Sequence, residues 1–246
     1  MKRSEVLLAG LILILLWTLL SVILQDPILP NPLSVLEEFI IEIRGDLGGH
    51  FLTSLWRVLA SMALAIVIAV PLGLILGQSD RLNRLFSPMI YLLYPIPKVV
   101  FLPIILLLLG IGDLPKIAII FLILFFQILV LVRDQALSIR PELLNSVRSL
   151  GAGRRGLFRF VYLPASLPAI LTALRQSIGT AVAVLYIAEL FATRYGLGYY
   201  IYLQGSTLFD YPKMYAGVIA MSILGLSLYF FTDWLHHHLC RWQFVN

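Results

Sequence analysis

Cysteine occurs once, at Cys240, which excludes an intramolecular disulfide framework and any cysteine-cluster metal site. Charge is sparse too. Asp, Glu, Lys and Arg make up 13% of the 246 residues, about half their share in an average soluble domain. Hydrophobic residues reach 60% and mean hydropathy is +0.95, which excludes both an ordinary soluble globule and a disordered chain. The net charge of +5 and the pI near 9.4 would suit a nucleic-acid partner only if gathered in one folded basic patch. The basic residues follow a membrane topology instead, so no nucleic-acid partner is expected.

Catalytic and metal motifs are missing as well. There is no phosphate-binding loop of the form G-x-x-x-x-G-K-[ST], no nucleophile elbow and no H-E-x-x-H. The chain is therefore not expected to be an enzyme or to hold a cofactor of its own. His236, His237 and His238 are adjacent, point in different directions on a helix, and are not expected to share a metal. Internal repeats of roughly 20–50 residues are absent, as are low-complexity tracts and the inverted repeat of many secondary carriers.

Long apolar runs dominate what is present. A membrane-spanning helix needs about 20 mostly apolar residues. Six segments qualify: 6–24, 52–77, 86–109, 115–132, 164–190 and 214–235. The first has a basic start, Lys2 and Arg3, but is followed by Leu24, Gln25, Asp26 and Pro27 rather than a small-x-small cleavage site. It reads as a retained anchor helix. The expected fold class is all-α: a polytopic membrane protein with about six transmembrane helices and a short helix pair on the cytoplasmic side.

Orientation follows from lysine and arginine placement. With both termini cytoplasmic, the inner segments hold Lys2, Arg3, Arg81, Arg84, Arg133, Arg140, Arg148, Arg154, Arg155, Arg159 and Arg241, eleven of the eighteen. The outer loops hold four, Arg44, Lys116, Arg194 and Lys213, while Arg57, Lys98 and Arg175 fall in or beside spans. That bias matches the positive-inside rule. The first outer loop, 25–50, contains an amphipathic pattern of Val35, Leu36, Phe39, Ile40 and Ile43 after Asn31 and Pro32, expected to lie on the outer membrane surface.

The stretch between spans four and five, 133–163, is unusual for a membrane-protein loop. Leu143, Leu144, Val147 and Leu150 fall on one face of a short helix. Pro141 suits its first turn, Glu142 the positive end of its dipole, and Gly151 a left-handed C-terminal residue. Leu157, Phe158 and Val161 form a second short pattern, and Leu163–Pro164 is expected to restart the chain into span five. Two readings fit: an interfacial helix pair held in headgroups by arginines, or a rigid knob that docks in a groove of a soluble cytoplasmic partner.

The stretch PELLNSVRSLGAG followed by VYLPASLPAIL resembles the cytoplasmic EAA loop of ABC importer permeases, the binding-protein-dependent inner-membrane components. The Glu-Ala-Ala positions of that pattern fall on Asn145, Ser146 and Val147, its glycine on Gly151, and its closing Leu-Pro on Leu163 and Pro164. The glycine and Leu-Pro frame is kept; the acidic-Ala-Ala triplet is not, with Glu142 the nearest acid. HFLTSLWRVLAS, YPIPKVVFLPIILLLLGIGD and ALRQSIGTAVAVLYIAELFATRYGLGYYI resemble the nitrate, sulfonate, taurine and bicarbonate class of these permeases. The resemblance implies one permease domain over 1–246, with residues 1–50 as anchor and outer segment and 51–246 as core, the coupling loop lying at 134–163.

It further implies that two copies of the chain form the pathway for a small solute. Two cytoplasmic ATPases bind the ATP and grip the loop through Glu142, Leu143, Asn145, Ser146, Val147, Gly151, Ala152, Leu163 and Pro164, and an extracytoplasmic binding protein delivers substrate. The solute is expected to be an anion such as nitrate, a sulfonate, taurine or bicarbonate, or alternatively a thiamine precursor or other small organic molecule. An ion-coupled carrier is the remaining alternative, for which only Glu189 is a candidate coupling acid.

Within the spans, Pro95, Pro97 and Pro103 each remove a backbone donor. Irregular backbone survives in lipid only where it is buried in protein or lines a cavity, so this segment is expected to line the pathway. A buried charge in a span costs about 2.5–3.5 kcal/mol on insertion scales. Lys98 either attracts an anionic substrate or satisfies carbonyls freed at the break. Glu189 either pairs with Lys98 or Arg175, gates the outer mouth, or serves as a structural cap. Gln127 is a pathway candidate and is expected to hydrogen-bond between helices. Arg175 and Gln176 lie early in span five near the cytoplasmic side, and Arg175 is expected to snorkel. Ala173, Ser177, Gly179, Thr180, Ala181, Ala183 and Ala188 give span five a small-residue surface suited to a dimer axis.

Overall fold

The computed structural model describes residues 3–243, and every regular element among them is helical. The helices are α1 (Arg3–Leu24), α2 (Pro32–Glu42), α3 (Asp46–Gln78), α4 (Asp80–Leu93), α5 (Leu102–Leu109), α6 (Asp113–Leu137), α7 (Pro141–Ser149), α8 (Arg154–Leu157), α9 (Leu163–Glu189), α10 (Leu197–Tyr202) and α11 (Tyr211–Leu239). Four helical stretches are long and apolar enough to cross a membrane: α3, α6, the run Arg154–Glu189, and α11. Lys2, counted above among the inner charges, and the Arg3 side chain lie outside the described residues.

The third apolar segment is not one kinked helix. It divides into α4 and a helix over Lys98–Leu109, bent by 79°. Pro95 and Pro97 explain the break, because neither offers an N–H and each disfavours helical geometry in the residue before it. Pro103 falls in the first turn of α5, where a missing donor is harmless. Two further expectations are corrected. The loop after span four begins five residues later than expected, since α6 continues through Arg133 to Leu137. Leu163 and Pro164 do not start a new segment: a single wide turn, Phe158–Tyr162, carries the Leu163 N–H to the Phe158 carbonyl and joins α8 to α9. That wider ring accommodates the donor missing at Pro164.

The chain forms two compact units. One comprises residues up to Ser54 together with Glu189–Leu224. In it, Trp17 of α1 packs on Tyr215 of α11 at 5.6 Å between ring centroids. The expected amphipathic segment is α2, whose N-cap Asn31 accepts the Leu33 N–H at 2.9 Å. Lys213 of α11 holds α2 through Glu42 at 2.9 Å and Glu38 at 3.7 Å.

The other unit comprises Leu55–Ala188 and residues from Gly225 onward. Its core is the seam between α3 and α6, where Ala65, Ala69, Gly73 and Gly77 recur every fourth residue and all are buried. A Cβ on Gly73 would lie 2.9 Å from the Val132 Cβ, and one on Gly77 would lie 3.1 Å from the Arg133 carbonyl oxygen. The backbones meet there because neither glycine has a side chain.

Helix α4 is amphipathic in the reverse sense from a soluble helix. Ser87 and Tyr91 face α6, where the fully buried Arg133 donates to them at 3.4 and 3.3 Å and to neighbouring Asp134 at 2.7 Å. Leu85, Met89 and Leu92 are exposed. Arg175 of α9 does not snorkel but forms an ion pair with Asp233 of α11 at 2.7 Å.

Candidate functional site

Helix α7 rests on α8 and the Phe158–Tyr162 turn, yet none of its residues is buried, and Leu143 and the C-cap Leu150 are 47% and 86% exposed. Pro141 occupies the first turn and Glu142 follows it. The C-terminus closes with two bonds, Gly151 N–H to the Arg148 carbonyl at 2.9 Å and Ala152 N–H to the Val147 carbonyl at 3.3 Å. This is a Schellman motif, with Gly151 at φ +83°. Nothing lies within 4 Å of a Cβ built on Gly151, so glycine is required there by backbone angle and not by space.

The three positions at the triplet behave differently. Asn145 and Ser146 are exposed, while Val147 is half-buried. The Ser146 hydroxyl donates to the Glu142 carbonyl at 2.8 Å, which ties it to its own helix. Asn145 accepts from Arg148 only at 3.5 Å, leaving its amide open to an incoming group. Leu163 and Pro164 lie exposed on the helix beyond the wide turn. Gln78, at the end of α3, donates to the Arg154 carbonyl at 3.2 Å and anchors the base of the loop.

In the same unit, a cavity of about 310 Å³ opens beside the α4–α5 break. Pro97, Lys98 and Gln127 line it, with Phe126, Thr180 and Val184. Pro95 and Pro103 are exposed and do not line it. The Lys98 ammonium donates to the Leu93 and Tyr94 carbonyls and lies 4.6 Å from the Phe126 ring centroid. Of the two roles weighed for Lys98, it performs the capping of carbonyls freed by the prolines. Among the described residues the Gln127 side-chain Oε1 is buried with no hydrogen-bond partner, so that oxygen makes no interhelical bond.

Glu189 is fully buried in the first unit. Its carboxylate accepts the Ser54 hydroxyl at 2.8 and 2.9 Å and the Gly198 N–H at 2.8 Å. The same Ser54 oxygen accepts the Leu197 N–H at 2.8 Å, and His50 Nδ1 accepts the Gly196 N–H at 2.9 Å. Successive N–H groups at the start of α10 are thus met by side chains from α3 and α9. The His50 ring lies among Tyr195, Tyr199 and Tyr200. Burial and the neighbouring Glu42 carboxylate push the Tyr200 phenol well above its ordinary pKa.

Of the roles weighed for Glu189, these bonds make it a structural cap of α10. Sequence reasoning missed Ser54 and His50, which hold the same turn, and the pair formed by Arg57 and Asp113, whose closest approach is 2.6 Å. The available signal was spacing along α3. His50, Ser54, Arg57 and Ser61 recur at helical intervals in an otherwise apolar span, and all four are buried. No group of three or more His, Cys, Asp or Glu suited to a metal occurs among the described residues.

Residues 69–243 match the family described as binding-protein-dependent transport system inner membrane component. The chain belongs to that family. It is an ABC importer permease, a transport component and not an enzyme. A probable ABC transporter permease protein of Brucella abortus (strain 2308) is 33% identical over 217 residues, covering 88% of this chain and 86% of that one. The taurine transport system permease protein TauC of Escherichia coli (strain K12) is 30% identical over 254 residues, covering 99% and 92%. Among solved structures, the inward-facing MetNI methionine ABC transporter superposes with a TM-score of 0.69 at 21% identity, covering 80% of this permease and 97% of that chain. That likeness concerns the fold alone.

Proposed function

We propose that this permease forms, as a homodimer, the membrane pathway for a small anionic solute such as taurine, another sulfonate, nitrate or bicarbonate. The similarity to a taurine transport permease along nearly the whole chain supports that substrate class. The chain works as one permease domain, since α3, α9 and α11 each contribute to both units. Both termini face the cytoplasm. ATP is bound by separate ATPase subunits, and an extracytoplasmic binding protein delivers the solute.

The single observation behind the coupling role is the exposure of α7 together with its closed Gly151 corner. Leu143 and Leu150 stay uncovered although α7 rests on α8 and the wide turn, and helix-in-groove docking would cover them. Glu142, Asn145, Ser146, Val147 and Ala152 flank that face, and the Phe158–Tyr162 turn passes its displacement through Leu163 and Pro164 into α9. Closure of the ATPase pair then rocks the spans as rigid bodies between two access states. The cavity beside Lys98, with Pro97, Gln127 and Thr180, is the candidate solute station. Pro95 and Pro103 shape the pathway through the break, and Glu189 holds the outer loop.

The lone cysteine makes the test clean. In a Cys240→Ser background, Leu143→Cys and Leu150→Cys are expected to crosslink to the ATPase subunit and to resist a membrane-impermeant thiol reagent added outside. Labelling from outside would sink the orientation and the coupling role together. Uptake into vesicles holding permease, ATPase and binding protein is expected for a sulfonate or other small anion; uptake of a pyrimidine alone would reassign the substrate.

A further inference from the structure

Beside the coupling loop, the turn from α3 to α4 and the start of α8 enclose a pocket of about 500 Å³. Ile75, Gln78, Asp80, Arg81, Arg84 and Arg154 are among its lining residues, with Ser79 and Leu82. Arg84 uses its Nε on the Asp80 carbonyl at 3.3 Å. No hydrogen bond or ion pair engages the guanidinium of Arg81 or of Arg154 among the described residues. Three arginines thus face one pocket against a single acid, Asp80, and two of the three have no partner. Planar guanidinium groups in this arrangement suit a phosphate, which they bind through paired N–H donors.

A second feature distinguishes the occupant. Leu82 lines the pocket and also begins the apolar face of α4, which continues through Leu85, Phe86, Met89 and Leu92, each at least 41% exposed beyond Leu82 at 37%. A soluble phosphate would use the arginines and ignore that face. An anionic phospholipid uses both: headgroup in the pocket, acyl chains along α4. Basic pockets at the cytoplasmic ends of spans have the chemistry for such headgroups.

We propose that this pocket binds the phosphate of an anionic phospholipid from the inner leaflet. The proposal rests on the orientation given above only for the choice of leaflet. A lipid bound here would brace the α3–α4 turn, and through the Gln78–Arg154 bond the base of the coupling loop.

The test uses the purified full-length chain in a neutral detergent, titrated with phosphatidylglycerol, phosphatidylcholine or inorganic phosphate, and read by native mass spectrometry and thermal unfolding. Retained phosphatidylglycerol adducts and a saturable rise in unfolding midpoint are expected, with neither from phosphatidylcholine. Arg81→Gln and Arg154→Gln are each expected to weaken phosphatidylglycerol binding about fivefold. Arg194→Gln, on a different loop, is expected to leave it unchanged and controls for net charge. Equal protection by inorganic phosphate would overturn the lipid assignment in favour of a soluble anion. Undiminished lipid binding in both arginine variants would overturn the site. None of these failures would touch the crosslinking result that tests the permease reading.

Discussion

The Ser54 hydroxyl and the Glu189 carboxylate, 135 residues apart in sequence, meet at 2.8 Å with both residues fully buried. The pair also holds the first turn of α10, since Ser54 takes the Leu197 N–H and Glu189 takes the Gly198 N–H. Removing the hydroxyl deprives a carboxylate of a donor and a backbone N–H of an acceptor. A buried polar group left unsatisfied costs about 1–3 kcal/mol. Ser54→Ala should therefore destabilise the purified permease by that order and lower its unfolding midpoint, and Glu189→Leu should do so by more, with Glu189→Gln milder than Glu189→Leu. Unchanged midpoints would show that the cluster is not holding α10.

Gly151 separates two explanations for a sensitive coupling corner. No atom lies within 4 Å of its Cβ position, yet φ is +83°. The penalty for a side chain is conformational, about 1–2 kcal/mol for a residue that resists the left-handed region. Asn tolerates that region better than a β-branched residue does. Gly151→Asn should keep most substrate-stimulated ATPase activity in vesicles, whereas Gly151→Val should insert normally but lose it. Equal activity in the two variants would remove the corner from the coupling mechanism.

Gly77 is a steric glycine by contrast. A Cβ there would overlap the Cβ of Ala136 and approach the Arg133 carbonyl to 3.1 Å. Overpacking of this kind costs about 1–3 kcal/mol, set against a helix-propensity gain of up to about 1 kcal/mol for replacing glycine. Gly77→Ala should be destabilising and Ala136→Gly should partly rescue it. Gly49→Ala, which meets nothing within 4 Å on the same helix, should be neutral or slightly stabilising. Thermal unfolding of the three variants decides the matter.

Tyr200 contributes to an alkaline loss of stability, as does Lys213, whose pKa the same Glu42 raises. Its phenol donates to Glu42 at 3.4 Å, and burial beside that carboxylate raises its pKa. Below about pH 10 the folded and unfolded chains both keep the proton. Above it the unfolded chain releases the proton first, so the fold loses stability as pH climbs. Tyr200→Phe should flatten that alkaline loss relative to the unsubstituted chain while leaving the profile between pH 6 and about 9 parallel. A parallel alkaline limb in both proteins would refute it.

Local features were the ones the sequence disclosed. Apolar runs announced the spans, and the coupling helix was readable because Pro141, Glu142, the apolar face and Gly151 all act within a dozen residues. Arg133 was misjudged as a loop charge because its burial depends on Ser87 and Tyr91, some forty residues away on α4. The Ser54–Glu189 and His50–Gly196 bonds span 135 and 146 residues, a distance over which no periodicity speaks. The bend after α4 was half legible: its prolines marked the place, but whether a helix kinks or breaks depends on whether something nearby caps the freed carbonyls, and here Lys98 does.

Arg57 and Asp113 illustrate how unequal exposure decides the outcome of a substitution. The arginine side chain is 3% exposed and the aspartate 45%, so the acid retains access to polar surroundings that the guanidinium does not have. Breaking a buried ion pair costs about 3–5 kcal/mol when the charge left behind stays buried, and less when it is half exposed. Asp113→Ala strips the carboxylate from a buried cation that donates to it at 2.6 and 2.9 Å. Arg57→Leu leaves an acid at the start of α6, where the helix dipole favours it, and puts an apolar side chain in the core. Asp113→Ala should therefore be the more damaging of the two by thermal unfolding, and adding Arg57→Leu to it should recover part of the loss. The reverse ranking would mean that the solvent-facing acid, not the buried arginine, governs the stability of this pair.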